Sequence, residues 1–81
     1  MKLSDAIEQR ISYYMKQNNL ITLWDLYKAT GIPKATLNSL YGSKRNKLPR
    51  LTTLVQICDG LNTNLQDFFN DEIFKNIDDN M

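Results

Sequence analysis

The sequence predicts an all-α chain, and three observations lead there. Apolar residues recur at intervals of three and four along its length, the repeat of a helix with one buried stripe. No segment alternates apolar and polar residues strictly, as a half-buried strand would. The apolar runs are separated by residues that start or stop helices, among them Asn18-Asn19, Thr22, Gly31, Pro33, Gly42-Ser43, Asn62 and Asn64.

The elements follow in order. Ser4 reads as the N-cap of a first helix, with Ile7, Ile11, Tyr14 and Met15 on one stripe and Asn18-Asn19 at its end. Thr22 with Asp25 three residues on is a capping-box variant that starts a second helix, and Gly31 stops it. Ile32 follows as an apolar plug. Pro33 suits the first turn of a third helix, which needs no N–H there and runs to about Tyr41. The polar, basic run from Lys44 to Arg50 reads as a loop. A fourth helix carries Leu51, Leu54, Val55, Ile57, Cys58 and Leu61 and stops near Asn62. Asn64 and Asp67 cap a short fifth helix presenting Leu65, Phe68 and Phe69. Beyond it, Ile73, Phe74 and Ile77 share a face, but their polar surroundings predict a tail, residues 70 to 81, that frays or waits for a partner.

Eighty-one residues with 42% hydrophobic content fit one small domain spanning residues 1–81, with no room for a deep substrate cleft. No apolar stretch approaches the ~20 residues of a membrane span, and the N-terminus lacks the apolar stretch of a signal peptide, so a cytoplasmic location is expected. The lone Cys58 forms no internal disulfide and lies among Leu54, Val55, Ile57 and Leu61, where it reads as a small core hydrophobe. Histidine is absent, which removes the commonest general base and metal ligand. An enzyme, a metal site and a cofactor are therefore not expected.

The net charge is only +1, but the charges are sorted. From Leu26 to Cys58 there is no acidic residue, while six of the ten basic ones, Lys28, Lys34, Lys44, Arg45, Lys47 and Arg50, fall inside. After it Asp59, Asp67, Asp71, Glu72, Asp78 and Asp79 face only Lys75. Such a dipolar chain would turn one end toward a polyanion and keep its acidic tail away. On the third helix, with Leu37 and Leu40 inward, Lys34, Ala35, Asn38 and, partly, Thr36 and Ser39 face out as a narrow ridge of short or hydrogen-bonding side chains.

The run "TLWDLYKATGIPKATLNSLYGSKRNKLPRLTTLVQICDGLNTNLQDFF", residues 22 to 69, resembles the five-helix, lambda-repressor-like DNA-binding domain of phage Cro and repressor proteins, the Xre-like helix-turn-helix family, and is closest to its small Cro-like members. With the preceding helix the likeness covers roughly residues 3 to 70. It rests on the glycine corner, the basic loop and the Thr-Leu helix ending "ICDGLN" in that order. The resemblance implies a helix-turn-helix at about 22–41 and a recognition helix at about 33–41 that enters the major groove of double-stranded DNA. It places Lys34, Ala35, Asn38 and Ser39 at base or near-base positions, and Thr22, Thr36, Lys44, Arg45, Asn46 and Lys47 along the backbone. The chemistry is compatible: lysine can donate to guanine, asparagine can pair with adenine, and an alanine methyl can rest on a thymine methyl, each discriminating by about 1–3 kcal/mol.

The sequence departs from the family at three points. Leu23 stands where a phosphate-binding glutamine is common, Pro33 replaces a polar N-cap, and Ser39 stands where an arginine is common. Trp24 reads as packing on the core, its other reading being a stack on the sugar-phosphate edge of DNA. The resemblance implies a transcriptional regulator, expected to repress by occupancy. Because one such domain alone would bind feebly at physiological salt, a homodimer on a near-palindromic operator is expected, with Phe69, Ile73, Phe74 and Ile77 of the fifth helix and tail supplying apolar area at the dimer interface. The alternative is a protein-interaction or antirepressor module on the same scaffold, without base readout.

Overall fold

The computed structural model describes residues 1–41 and 48–78. Five α-helices and a terminal 3-10 turn follow one another: α1 (Leu3–Gln17), α2 (Leu23–Thr30), α3 (Lys34–Leu40), α4 (Leu51–Gly60), α5 (Leu65–Phe68) and the tail turn (Glu72–Asn76). The expected all-helical, five-helix architecture is what forms. Gly42 to Lys47 and Asp79 to Met81 lie outside the described residues.

The start of α1 differs from expectation. The helix begins at Leu3 with Lys2 as its cap residue, and Ser4 lies inside the first turn, where it caps nothing. The Ala6 N–H already bonds the Lys2 carbonyl at 3.0 Å, so the helix is capped two residues before Ser4. Its buried face is Ala6, Ile7, Arg10, Ile11 and Met15. The arginine was not foreseen. At the other end Asn19 adopts φ +59°, as Asn62 does at +58° after α4. Both use the left-handed conformation that asparagine tolerates better than most residues. The two ends are tied together: Asn18 Nδ2 donates to the Leu61 carbonyl at 2.9 Å, and Asn62 Nδ2 donates to Asn18 Oδ1 at 2.7 Å.

The core joins Ile7, Ile11 and Met15 of α1 to Leu26 of α2, Ile32 of the corner, Leu37 and Leu40 of α3, Leu54, Ile57 and Cys58 of α4, and Leu61 and Phe68. Cys58 is buried, and burial pushes its thiol pKa up. Two apolar residues of α4 stand outside the core. Leu51 is 68% exposed and Val55 42%. At ~100° per residue, Val55 points well away from the Leu54, Ile57, Cys58 and Leu61 face, and Leu51 opens the helix ahead of its neighbours.

The described part of the tail, residues 70–78, is packed on the fold. Phe74 packs edge-on against Phe69 at 4.9 Å, and Phe69 against Phe68 at 5.2 Å. Asp71 caps the tail turn by accepting from the Ile73 N–H at 3.0 Å. The turn lies against α1, and the Met1 amino group meets Asp78 at 2.8 Å.

Candidate nucleic-acid interface

The corner between α2 and α3 is built locally. Thr22 Oγ1 accepts from the Asp25 N–H at 3.1 Å, while Asp25 Oδ2 accepts from the N–H groups of Thr22 (3.0 Å) and Ile21 (2.9 Å). This is the reciprocal capping box read from the sequence. Those backbone hydrogen bonds, from Ile21 first and then Thr22, hold the Asp25 carboxyl below its ordinary range. A carboxylate therefore sits on the two amides just ahead of α2. At the other end Gly31 takes φ +74° and donates to the Tyr27 carbonyl at 2.7 Å. Thr30 Oγ1 donates to the Leu26 carbonyl (2.8 Å) and accepts from the Ile32 N–H (3.2 Å), turning Ile32 into the core.

α4 locks the corner from behind. Gln56 Nε2 donates to the Thr30 carbonyl at 3.0 Å, satisfying an orphan acceptor at the end of α2. The end of α4 passes so close to α2 that a Cβ on Gly60 would lie 2.6 Å from the Ala29 carbonyl oxygen. The axis of α2, and with it the α3 it carries, is set by that approach.

α3 is a seven-residue helix, Lys34–Leu40, with Pro33 as its cap residue one position before the helix rather than in its first turn. Leu37 and Leu40 are buried; Lys34, Ala35 and Asn38 are exposed; Thr36 and Ser39 are half-buried. The ridge predicted from helical spacing is thus present. Ser39 turns its hydroxyl back to the Thr36 carbonyl at 2.7 Å, so the donor is engaged and only lone pairs remain. Between Thr36 and Ser39 on α3 and Arg50 and Thr53 at the start of α4 lies a shallow recess. Thr22 is exposed within its cap. Lys44, Arg45, Asn46 and Lys47 lie outside the described residues. Phe69, Ile73, Phe74 and Ile77 are each half-buried in and around the tail.

Trp24 corrects the sequence reading. It is 48% exposed and does not join the core. Two positions from the buried Leu26, it projects from nearly the opposite side of α2, where residues at that spacing do not share a face. That spacing was the signal available in the sequence. The indole rests on Tyr27 with ring centroids 5.3 Å apart, and the Lys34 ammonium stands 4.4 Å from its centroid.

The electrostatics are divided. Among the described residues the ion pairs are Met1 amino with Asp78, Arg10 with Asp71, and Lys75 with Glu72, all on the tail. Lys34 and Arg50, beside the ridge, form none of these pairs. No helix among the described residues is long and apolar enough to cross a membrane.

The family profile described as the Cro/C1-type HTH DNA-binding domain matches residues 10–72, from the middle of α1 to the start of the tail turn. A solved structure, the crystal structure of the prophage Lp1 protein 11, is similar with a TM-score of 0.78. The two sequences are 24% identical, and the alignment covers 95% of this chain and 100% of that one. At that identity the likeness establishes the fold. No curated protein sequence matches.

Proposed function

The chain belongs to the Cro/C1-type helix-turn-helix DNA-binding domain family, and from that premise we propose that it is a sequence-specific transcriptional repressor acting as a homodimer on a near-palindromic operator in the cytoplasm. The observation that carries base readout is the division of α3: Leu37 and Leu40 are buried while Lys34, Ala35 and Asn38 stand exposed on its other side. Lys34 donates to guanine O6 and N7, Asn38 pairs with an adenine edge, and Ala35 meets a thymine methyl. Ser39 contributes as an acceptor at most, so readout is sparse. Thr22, Thr36, Lys44, Arg45, Asn46 and Lys47 follow the phosphates and add affinity with little sequence information.

Sparse readout is the reason for two copies. Dimerisation sets two recognition helices about 34 Å apart, one turn of B-DNA, and makes the second contact effectively intramolecular. The half-buried Phe69, Ile73, Phe74 and Ile77 supply apolar area for that contact. Repression follows by occupancy, since a dimer over a promoter excludes polymerase. A second reading, a protein-interaction or antirepressor module, draws support from the exposed Leu51 and Val55 on α4.

The deciding experiment is selection of bound fragments from the host genome with the wild-type chain and with Lys34→Ala. A recovered consensus that shifts at one position in Lys34→Ala is the expected result. An unchanged consensus removes Lys34 from the docking face, and recovery of no fragments favours the interaction module.

A further inference from the structure

The exposed aromatic on α2 has no role in the contacts assigned above. An indole left half in water costs hydrophobic free energy that a core position would recover, so its surroundings matter. Tyr27, itself packed on the core, backs the ring at 5.3 Å. Two cations attend its face, the Lys34 ammonium 4.4 Å and the Lys28 ammonium 5.9 Å from the ring centroid. Among the described residues the indole N–H has no hydrogen-bond partner. An aromatic plane, an N–H donor and two ammonium groups at one spot match the sugar ring and phosphate oxygens of a nucleic-acid backbone. Just ahead of α2 the Asp25 carboxylate holds the N–H groups of Ile21 and Thr22, and the Thr22 hydroxyl takes that of Asp25, so this negative charge stands beside the start of the helix.

We propose that Trp24 contacts DNA directly, its indole lying against the sugar-phosphate edge with the N–H toward a phosphate, and that its face holds the Lys34 ammonium in place for the groove. The proposal rests on the DNA-binding reading and deepens it: α2 reaches the backbone through the Trp24 side chain. Lys34 then serves two partners. Its cation is kept near the mouth of the groove by the ring before DNA arrives, which lowers the entropy lost when it engages a base.

Trp24 is the only tryptophan in the chain, so its emission reports on this contact alone. The probe is a short fluorescein-labelled duplex of arbitrary sequence at low ionic strength, read by anisotropy, with intrinsic emission followed in parallel on unlabelled duplex. Emission of the wild-type chain should change with the same midpoint as the anisotropy. Trp24→Ala should weaken binding by about tenfold, as loss of an aromatic platform does, with the salt dependence unchanged because no charge is lost. Trp24→Phe should retain most of the affinity. Half exposure of the ring leaves the fold intact in these variants, checked by their melting curves. Binding that survives Trp24→Ala undiminished, or saturating DNA that leaves the emission unmoved, overturns the proposal while the parent reading stands. An equal emission change with polyglutamate, which has charge but no sugar, also overturns it. A wild-type chain that gives no anisotropy rise overturns both.

Discussion

Arg10 and Asp25 both place a charge on the end of a helix, and they do so with opposite consequences for what the surface can bind. Arg10 is 6% exposed; its Nε donates to the Phe68 carbonyl and its Nη2 to the Asp67 carbonyl, both at 2.7 Å, with Tyr14 Oη at 3.2 Å and Asp71 at 3.5 Å. One guanidinium thus closes the C-terminus of a four-residue helix too short to hold itself. Arg10→Met leaves two inward carbonyls unpaired, at about 1–3 kcal/mol each, and should lower the urea midpoint accordingly. Arg10→Lys should rescue little, because an ammonium cannot reproduce the planar fork. Asp25 acts on an exposed cap, and its pKa is lowered chiefly by the backbone donors of Ile21 and Thr22. A carboxyl depressed in the folded state stabilises above its unfolded value of ~3.9, and that contribution fades as pH falls through the folded pKa. Urea melts between neutral pH and pH ~3 should therefore show the difference between wild type and Asp25→Asn shrinking at the acid end; a pH-independent difference would refute the assignment.

At the scale of elements, the placement of the corner depends on two glycines with different duties. Gly31 needs its positive φ of +74°, yet a Cβ there would meet only Gln56 Nε2, at 3.8 Å. Gly60 needs space: a Cβ would lie 2.6 Å from the Ala29 oxygen and 2.9 Å from the Thr30 Cα, backbone atoms that cannot rotate away. Gly60→Ala should cost about 1–3 kcal/mol, as overpacking does, or at least several degrees of melting temperature at about 4–8 °C per kcal/mol. It should also displace α2 and weaken DNA binding, whereas Gly31→Ala costs backbone strain of about 1–3 kcal/mol. Melting temperature and duplex affinity measured on the same two variants check both statements. Local chemistry made the corner legible in the sequence: the Thr22-Asp25 box, the glycine cap, the plug Ile32 and the outward ridge all depend on residues within a few positions of one another. Gly60, Arg10 and Gln56 were not legible, because each answers to a chain segment 26 to 61 positions away or to a close approach no pattern encodes. Trp24 is a different case, since its spacing from Leu26 already pointed outward and the usual burial of tryptophan overrode it. Ser4 was misread because the serine follows the first helical residue instead of preceding it.

For the whole molecule, the question is how a chain with net charge +1 presents a cationic face. Three acids of the described tail are paired where they stand: Asp71 with Arg10, Glu72 with Lys75 and Asp78 with the Met1 amino group, which lowers the Asp78 pKa. Among the described residues, Lys34 and Arg50 take no part in those pairs. Fold and binding should therefore respond differently to salt. Exposed ion pairs contribute about 0–1 kcal/mol each, so added salt should move the melting temperature little. Duplex affinity should fall steeply: about four to six neutralised phosphates give a log–log slope of roughly −4 to −5, and Lys44→Ala or Arg45→Ala should each reduce it by about one. The steepness bears on assembly, because a single domain so dependent on phosphates binds feebly at physiological salt unless a second copy assists. Sedimentation at micromolar concentration, with and without duplex carrying two half-sites, should reveal a dimer in at least the bound state. Ile73→Glu tests the face: the residue is half-buried beside Phe74, and a carboxylate there should abolish the dimer and make duplex occupancy lose its cooperative rise while the monomer melts nearly as before. A chain that sediments as a monomer under both conditions, yet binds the two half-sites with undiminished affinity, would show that each domain acts alone.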